Sequence, residues 1–163
     1  MGGRQAVPLA SLDMSDAKVR ATYNDIPVYE FEETAWTTPP DLSDARVALV
    51  TTAGLRTDGV VMWSNQDQSF TVIPQGEKHL TFSHRSQNFD RSGFNADVNV
   101  VLPMDRLDEM ASDATIGSVA SRHISFMGAQ GDHTLATMRL DTGPAAAQIL
   151  KDDGVDVVLL TPV

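Results

Sequence analysis

The stretch AAAQILKDDGVDVVLL, residues 145–160, decides how this chain folds. Gly143 and Pro144 stand before it, and a proline at the first helical position followed by small and aliphatic residues predicts a helix, stopped by Gly154. Val155 to Leu160 then place five apolar residues in a run of six, broken only by Asp156, which is the pattern of a fully buried strand. A helix leading through a glycine into such a strand is half of a βαβ crossover, and a crossover needs a parallel partner. RVALVTTAGL, residues 46–55, reads as another strand of this kind: a short apolar run that breaks at Thr51, Thr52 and Gly54, as a buried parallel strand does where it turns. No GxGxxG or GxxxxGK[ST] spacing follows it, so a plain turn is favoured over a phosphate cradle.

Between these two strands the pattern alternates. Asp58 to Glu77 is rich in Gly, Gln and Asp and reads as loop with at most one irregular strand, in which Trp63 and Phe70 serve as packing anchors. HLTFSH, residues 79–84, sets Leu80 and Phe82 against polar neighbours, the mark of a half-buried strand ending on His84. Pro103 opens a helix whose apolar positions Met104, Leu107, Met110 and Ala111 fall on one face, with Gly117 beyond its end. IGSVASRHISFMG reads as strand, or turn and strand, and TLATMRL fits either type. Near the amino terminus Ser15 or Asp16 caps a short helical segment, Asp16 to Asn24, ended by Pro27; Pro39 and Pro40 make a stiff lead-in.

The expected architecture is therefore an α/β layered sandwich with a mainly parallel, Rossmann-like sheet: residues 1–44 as extension and lead-in, residues 45–163 as the domain. In a doubly wound sheet a loop at the carboxyl edge and a returning helix follow a strand such as VDVVLL, so the expected sheet lacks its C-terminal elements.

Composition narrows the function. With 12 basic and 22 acidic side chains the net charge is −10, which repels nucleic acid and anionic lipid. No apolar run approaches the roughly 18 residues of a membrane span, and the opening residues carry no signal-peptide core, so a cytoplasmic protein is expected. The absence of cysteine removes disulfides, thiolate metal sites and thiol nucleophiles from these residues. No GxSxG elbow accompanies the histidines, which argues against a serine hydrolase.

The densest polar region, residues 83–99, holds His84, Asn88, Asp90, Arg91, Asp97 and Asn99 directly after a strand end, where sites on rigid scaffolds gather. Arg suits a carboxylate and Asp an ammonium, so a small amine or amino-acid-like substrate fits; a hydrogen-bonded surface loop fits the same composition. His84, Asp90 and His123 form an alternative metal set for a lyase or isomerase if their strands are neighbours, although no HxH or HExxH spacing supports it and a satisfied buried His is favoured. A non-catalytic small-molecule binding module is the third reading.

Three further stretches carry a resemblance. SHRSQNFDRSGFNADVNVVLPMDRLDEM, IGSVASRHISFMG and LKDDGVDVVLLTPV, in that order, resemble the selenoprotein B family of glycine, sarcosine, betaine and D-proline reductases. The resemblance runs from about ARVALVTTAG to Val163 and implies an oxidoreductase that cleaves a carbon–nitrogen bond reductively. It also implies a pyruvoyl-type partner subunit, a thioredoxin-like dithiol donor and a redox motif of selenocysteine or cysteine immediately after a strand like VDVVLLTPV. The expectation is that the redox residue follows Val163, that UGA was read there as a stop, and that this chain alone is an inactive fragment. His84, Asp90, Arg91, Asn99 and His123 belong to the family's recurrent words without individual roles; the substrate is open, as is assembly into a homo-oligomer.

Overall fold

The computed structural model describes residues 36–59, 64, 67–85, 91–130 and 132–163, of which residues 38–163 belong to one unit. The segment expected between Asp16 and Asn24, like Trp63, Asn88 and Asp90, lies outside the described residues.

β1 (Arg46–Thr51) is the centre of the sheet, and its apolar run is explained by strands on both edges. On one side β7 (Val157–Thr161) runs parallel to it, Val47 opposite Val157 through Thr51 opposite Thr161. On the other side two short strands follow each other, β5 (Ser118–Val119) beside Arg46 and Val47, and β6 (Arg122–Phe126) beside Val50 and Thr51, both parallel. β3 (Phe70–Pro74) closes that side antiparallel to β6, from Phe70 opposite Phe126 to Pro74 opposite Arg122. The fold is thus α/β with a mixed, mostly parallel sheet. β2 (Leu55–Thr57) and β4 (Leu80–Phe82) pair antiparallel as a separate ribbon. The one strand expected between Asp58 and Glu77 is β3; it is regular, and its Phe70 packs on Phe126 with ring centroids 5.6 Å apart.

Side chains alternate across β1 and divide the core into two layers. Val47 and Leu49 pack with Ile73, Leu102, Met104 and Leu107 under α2 (Met104–Ser112), which Pro103 precedes by one residue. Ala48 packs instead with Ile124, Phe126, Ala146 and Leu150 under α4 (Gly143–Asp152). A short helix, α1 (Ser92–Ala96), stacks Phe94 on Phe82 of the ribbon.

Gly143 and Pro144 open α4 as expected, but what precedes them is helical too: α3 (Asp132–Thr137) passes through a π turn, Met138–Thr142, directly into α4. Proline inside a regular helix removes one hydrogen bond and presses its ring on the carbonyl four residues back. The wider turn relieves this, with Gly143 N–H donating to Met138 O. Only glycine fits at 143, because a Cβ would collide with that same carbonyl.

The helix-to-strand turn that anchors β7 is held electrostatically. Arg122 at the start of β6 grips both carboxylate oxygens of Asp153, at 2.6 and 2.8 Å, and Arg46 donates to Asp153 O at 2.6 Å, while Gly154 takes the left-handed φ of +67°. The Arg122 guanidinium holds the Asp153 carboxyl below the usual carboxylate range. Asp153→Asn is therefore expected to lower the urea midpoint slightly. The deficit against wild type should be full above the ordinary carboxylate pKa and vanish as pH falls through the lowered one. Urea titrations at pH 7 and below pH 4 check this.

Candidate functional site at the carboxyl edge

Three parallel strands end together, and hydroxyl groups fix how they do so. The Thr51 hydroxyl donates to Thr161 O at 3.2 Å and accepts from Ala53 N–H at 3.2 Å, tying the ends of β1 and β7. The Thr161 hydroxyl donates to Val101 O at 2.8 Å, which fixes β7 to the segment entering α2. Val163 N–H donates to the Thr52 hydroxyl at 2.8 Å. From the other side Gly128 N–H donates to Thr52 O at 2.9 Å, and Gly54 N–H to Phe126 O at 2.9 Å. The chain emerging from all three strands thus meets around Thr52.

His84 enters the same place from the ribbon. Ser83 N–H donates to Gly54 O at 2.9 Å, and Gly54, with φ of +65°, lies so close to the His84 backbone that its missing side chain is what permits the contact. The His84 ring then reaches Gly128: a Cβ on Gly128 would stand 2.7 Å from His84 Nε2, 2.8 Å from Thr52 O and 3.2 Å from Val163 O. Four residues from four distant segments surround one point. Burial, with the Arg91 charge adding to it, lowers the His84 pKa below its ordinary value, so the imidazole is neutral at pH 7. Arg91 Nη2 donates to His84 O at 2.8 Å and braces the backbone at that position. Beside this point lies a pocket of about 210 Å³ whose lining includes Thr52, Gly128 and Val163.

The remaining sequence candidates are placed elsewhere. Asp97 Oδ1 accepts from both Asn99 N–H and Asn99 Nδ2 at 2.9 Å, and Asn99 in turn exchanges bonds with Asp105 at the start of α2. Those bonds satisfy backbone donors and lower the Asp97 carboxyl pKa; Asp97 and Asn99 act there as a helix-entry brace. Asn99 also borders a larger pocket of about 320 Å³ between β4, α1 and α2, next to the Lys78–Asp105 ion pair at 2.8 Å. His123 is fully buried within β6: Leu49 N–H donates to its Nδ1 at 3.0 Å, and its Nε2 lies 2.5 Å from Gln75 Oε1. At roughly 3.3 Å rise per residue, the five residues from His123 to Gly128 span about 16 Å, which sets His123 well back from the end where Gly128 meets the His84 ring. The structure brings His84 and Arg91 together and does not bring His84 and His123 together. Asn88 and Asp90 lie outside the described residues, within which no group of three His, Asp or Glu side chains is arranged for a metal ion. None of the described helices is long and apolar enough to cross a membrane.

Sequence reading overlooked Thr52, Gly128 and Thr161. The available signal was modest: a Thr-Thr pair, a Met-Gly and a Leu-Thr-Pro, each directly after an apolar strand.

Comparison with known proteins finds relatives among reductase subunits. The relatives include the D-proline reductase subunit gamma of Acetoanaerobium sticklandii, 35% identical over 122 residues that make up 74% of this chain and 50% of that protein. The glycine reductase complex component B subunit gamma of Carboxydothermus hydrogenoformans is 30% identical over 164 residues, 93% of this chain and 36% of that protein. The chain therefore spans half or less of the length of these curated relatives. No solved structure matches it. The family model for glycine/sarcosine/betaine reductase selenoprotein B (GRDB) matches residues 19–163, and the chain belongs to that family.

Proposed function

We propose that the chain is the part of a reductase subunit that seats the redox residue, and that the complete subunit cleaves a carbon–nitrogen bond in a small amine or amino acid. The observation that carries this reading is the meeting of Thr52, Gly128, Val163 and His84 at the carboxyl edge of the parallel strands, where open α/β sheets keep their sites. In this reading a selenocysteine or cysteine encoded directly after Val163 stands at that point, and the sheet continues in Rossmann fashion past β7. Two observations support the continuation. The relatives are about two to three times as long as the aligned stretch. The outermost strand, β7, also leaves Val158, Leu159 and Leu160 between 39% and 66% exposed on both of its faces, and such an apolar edge calls for cover.

The residues present fit a selenolate or thiolate. Among the described residues no acidic side chain lines the adjoining pocket to repel an anion, while the Thr52 hydroxyl and the neutral His84 ring offer polar contacts. When present, the group supplies a nucleophile and, with a neighbouring thiol, two electrons. In the overall reaction the carbon–nitrogen bond is replaced by a C–H and an N–H bond; the two electrons and two protons come from a thioredoxin-like dithiol, which is oxidised to a disulfide. The chain's own residues hold the strand ends in register, keep a neutral ring against the reacting edge and brace it through Arg91. A pyruvoyl-type partner subunit holding the amine, and a cytoplasmic setting that keeps the donor reduced, complete the reading.

The test is the nucleotide sequence after the Val163 codon together with the intact mass of the native protein. A UGA codon followed by an open frame with a nearby Cys codon, and a mass beyond Val163 with the selenium isotope pattern, is expected; a cysteine codon in its place supports the same chemistry. A UAA or UAG codon, with a native polypeptide that ends at Val163 and still reduces an amine, would overturn the proposal.

A further inference from the structure

The pocket beside the carboxyl edge has a composition of its own. Besides Thr52 and Gly128 its walls include Met127, Leu135, Met138 and Val163, and none of the lining residues among those described is charged. Gln130, also in the lining, has a fixed orientation, because its Nε2 donates to Asp67 O at 2.9 Å and Met127 O at 3.1 Å. Its Oε1, at the opposite corner of the amide, is buried and meets no donor among the described residues. A buried acceptor in that state costs about 1–3 kcal/mol, which an arriving N–H can recover.

The π turn at Met138–Thr142 bears on the same pocket. It restricts position 143 to glycine and leaves the buried Thr142 hydroxyl without a partner among the described residues, so it is held at a cost. One extra residue in a helical turn rotates everything before it by roughly 100° about the axis. Met138 is the first residue of that turn, and it lies against both the pocket and the core under α4. π turns of this kind recur at functional sites.

We propose that this pocket receives the aliphatic part of the substrate amine, with Gln130 Oε1 accepting an N–H, and that the π turn is the device that sets Met138 as its wall. The inference rests on the reductase reading and adds the specificity element to it. The described thioether and branched aliphatic walls suit an N-methyl group or a saturated ring and give no handle to an amine without one. The larger pocket by Lys78 and Asp105 is a poorer candidate, because its polar walls are already bonded to each other and it lies apart from the strand ends.

The test uses the complete subunit with methyl-13C methionine, the Met127 and Met138 signals being assigned by single Met→Leu variants. Titration with D-proline or sarcosine, each of which carries an N–H beside its aliphatic part, is expected to shift both signals saturably, and glycine at equal concentration to shift neither. Leu135→Trp, which fills the pocket, should weaken the apparent affinity at least tenfold, and Met138→Ala should weaken it severalfold if the tryptophan variant does not fold. Signals indifferent to all three compounds overturn the proposal whatever the activity; if the complex still reduces one of them, the reductase reading stands without this pocket. Saturable shifts in a complex that reduces none of the amines with a dithiol would keep the pocket and remove the reductase reading.

Discussion

His123→Ala is expected to destabilise the fold by about 3–4 kcal/mol, a large share of the roughly 5–15 kcal/mol that a domain possesses. The register of the strands beside β1 slips by two residues between β5 and β6, and at this break Leu49 N–H in the middle of the sheet bonds to His123 Nδ1 at 3.0 Å. The imidazole thus stands where a neighbouring strand would present a carbonyl. Because Nδ1 accepts, Nε2 carries the proton and donates to Gln75 Oε1, whose Nε2 donates to Asp108 at 2.8 Å. Alanine would empty a site with no solvent exposure and leave a buried backbone donor unpaired, and each loss costs a few kcal/mol at most on its own. Burial lowers the His123 pKa to about 4. Above pH 6.5 the ring is neutral in both states. As pH falls from 6.5 to about 4 the unfolded chain gains a proton that the folded one refuses, so stability drops by about 3 kcal/mol at roughly 1.4 kcal/mol per unit. His84, also lowered by burial, adds in the same direction. The comparison that isolates His123 is urea unfolding of wild type and variant from pH 7 to 4.5. The variant should start less stable and show a shallower decline; equal slopes would mean that the ring does not titrate as described.

The two strands that organise the sheet were readable as continuous apolar runs, Val47–Val50 and Val157–Leu160. β1 is buried as such a run predicts, whereas β7, expected to be fully buried, leaves Val158, Leu159 and Leu160 exposed because no strand pairs with its outer edge among the described residues. β3 was visible only as an apolar patch, since five residues among Gly and Gln carry too little period to reveal an antiparallel partner. The π turn was not legible at all. Gly143-Pro144 is the pair that opens helices elsewhere, and only the packing of Met138 and Leu150 on one core decides that the helix continues through it. Among site candidates, a polar loop after a strand led to His84 and Arg91, but the same polar composition also describes the Asp97–Asn99–Asp105 brace. Capping and ligand binding draw on the same side chains, so composition does not separate them. Thr52, Gly128 and Val163 lie far apart in sequence and become neighbours only through strand order, which no local pattern encodes.

Gly128→Ala should cost at least tenfold in kcat/KM of the complete reductase subunit in its complex, well beyond what its stability change explains. The added methyl would meet three atoms at once, His84 Nε2, Thr52 O and Val163 O, within 3.2 Å. None of the three yields easily. Thr52 O is held by the Gly128 N–H itself, Val163 by the Thr52 hydroxyl, and His84 by a backbone packed on Gly54. Overpacking of this kind costs about 1–3 kcal/mol, a fall of several degrees in Tm that leaves the protein folded. The strain must nevertheless be relieved by moving the His84 ring or the end of β7, and displacements near 1 Å at a reacting centre reach about a hundredfold in rate. Gly76→Ala is the control. Gly76 has a φ of +79° and nothing within 4 Å of its Cβ position, so it carries backbone strain of about 1 kcal/mol without contact to this edge. Similar losses of Tm in the two variants with lost activity in Gly128→Ala alone would place the chemistry at the carboxyl edge. Full activity in Gly128→Ala would mean that the meeting of Thr52, His84 and Val163 is packing only, and that the reacting group stands elsewhere.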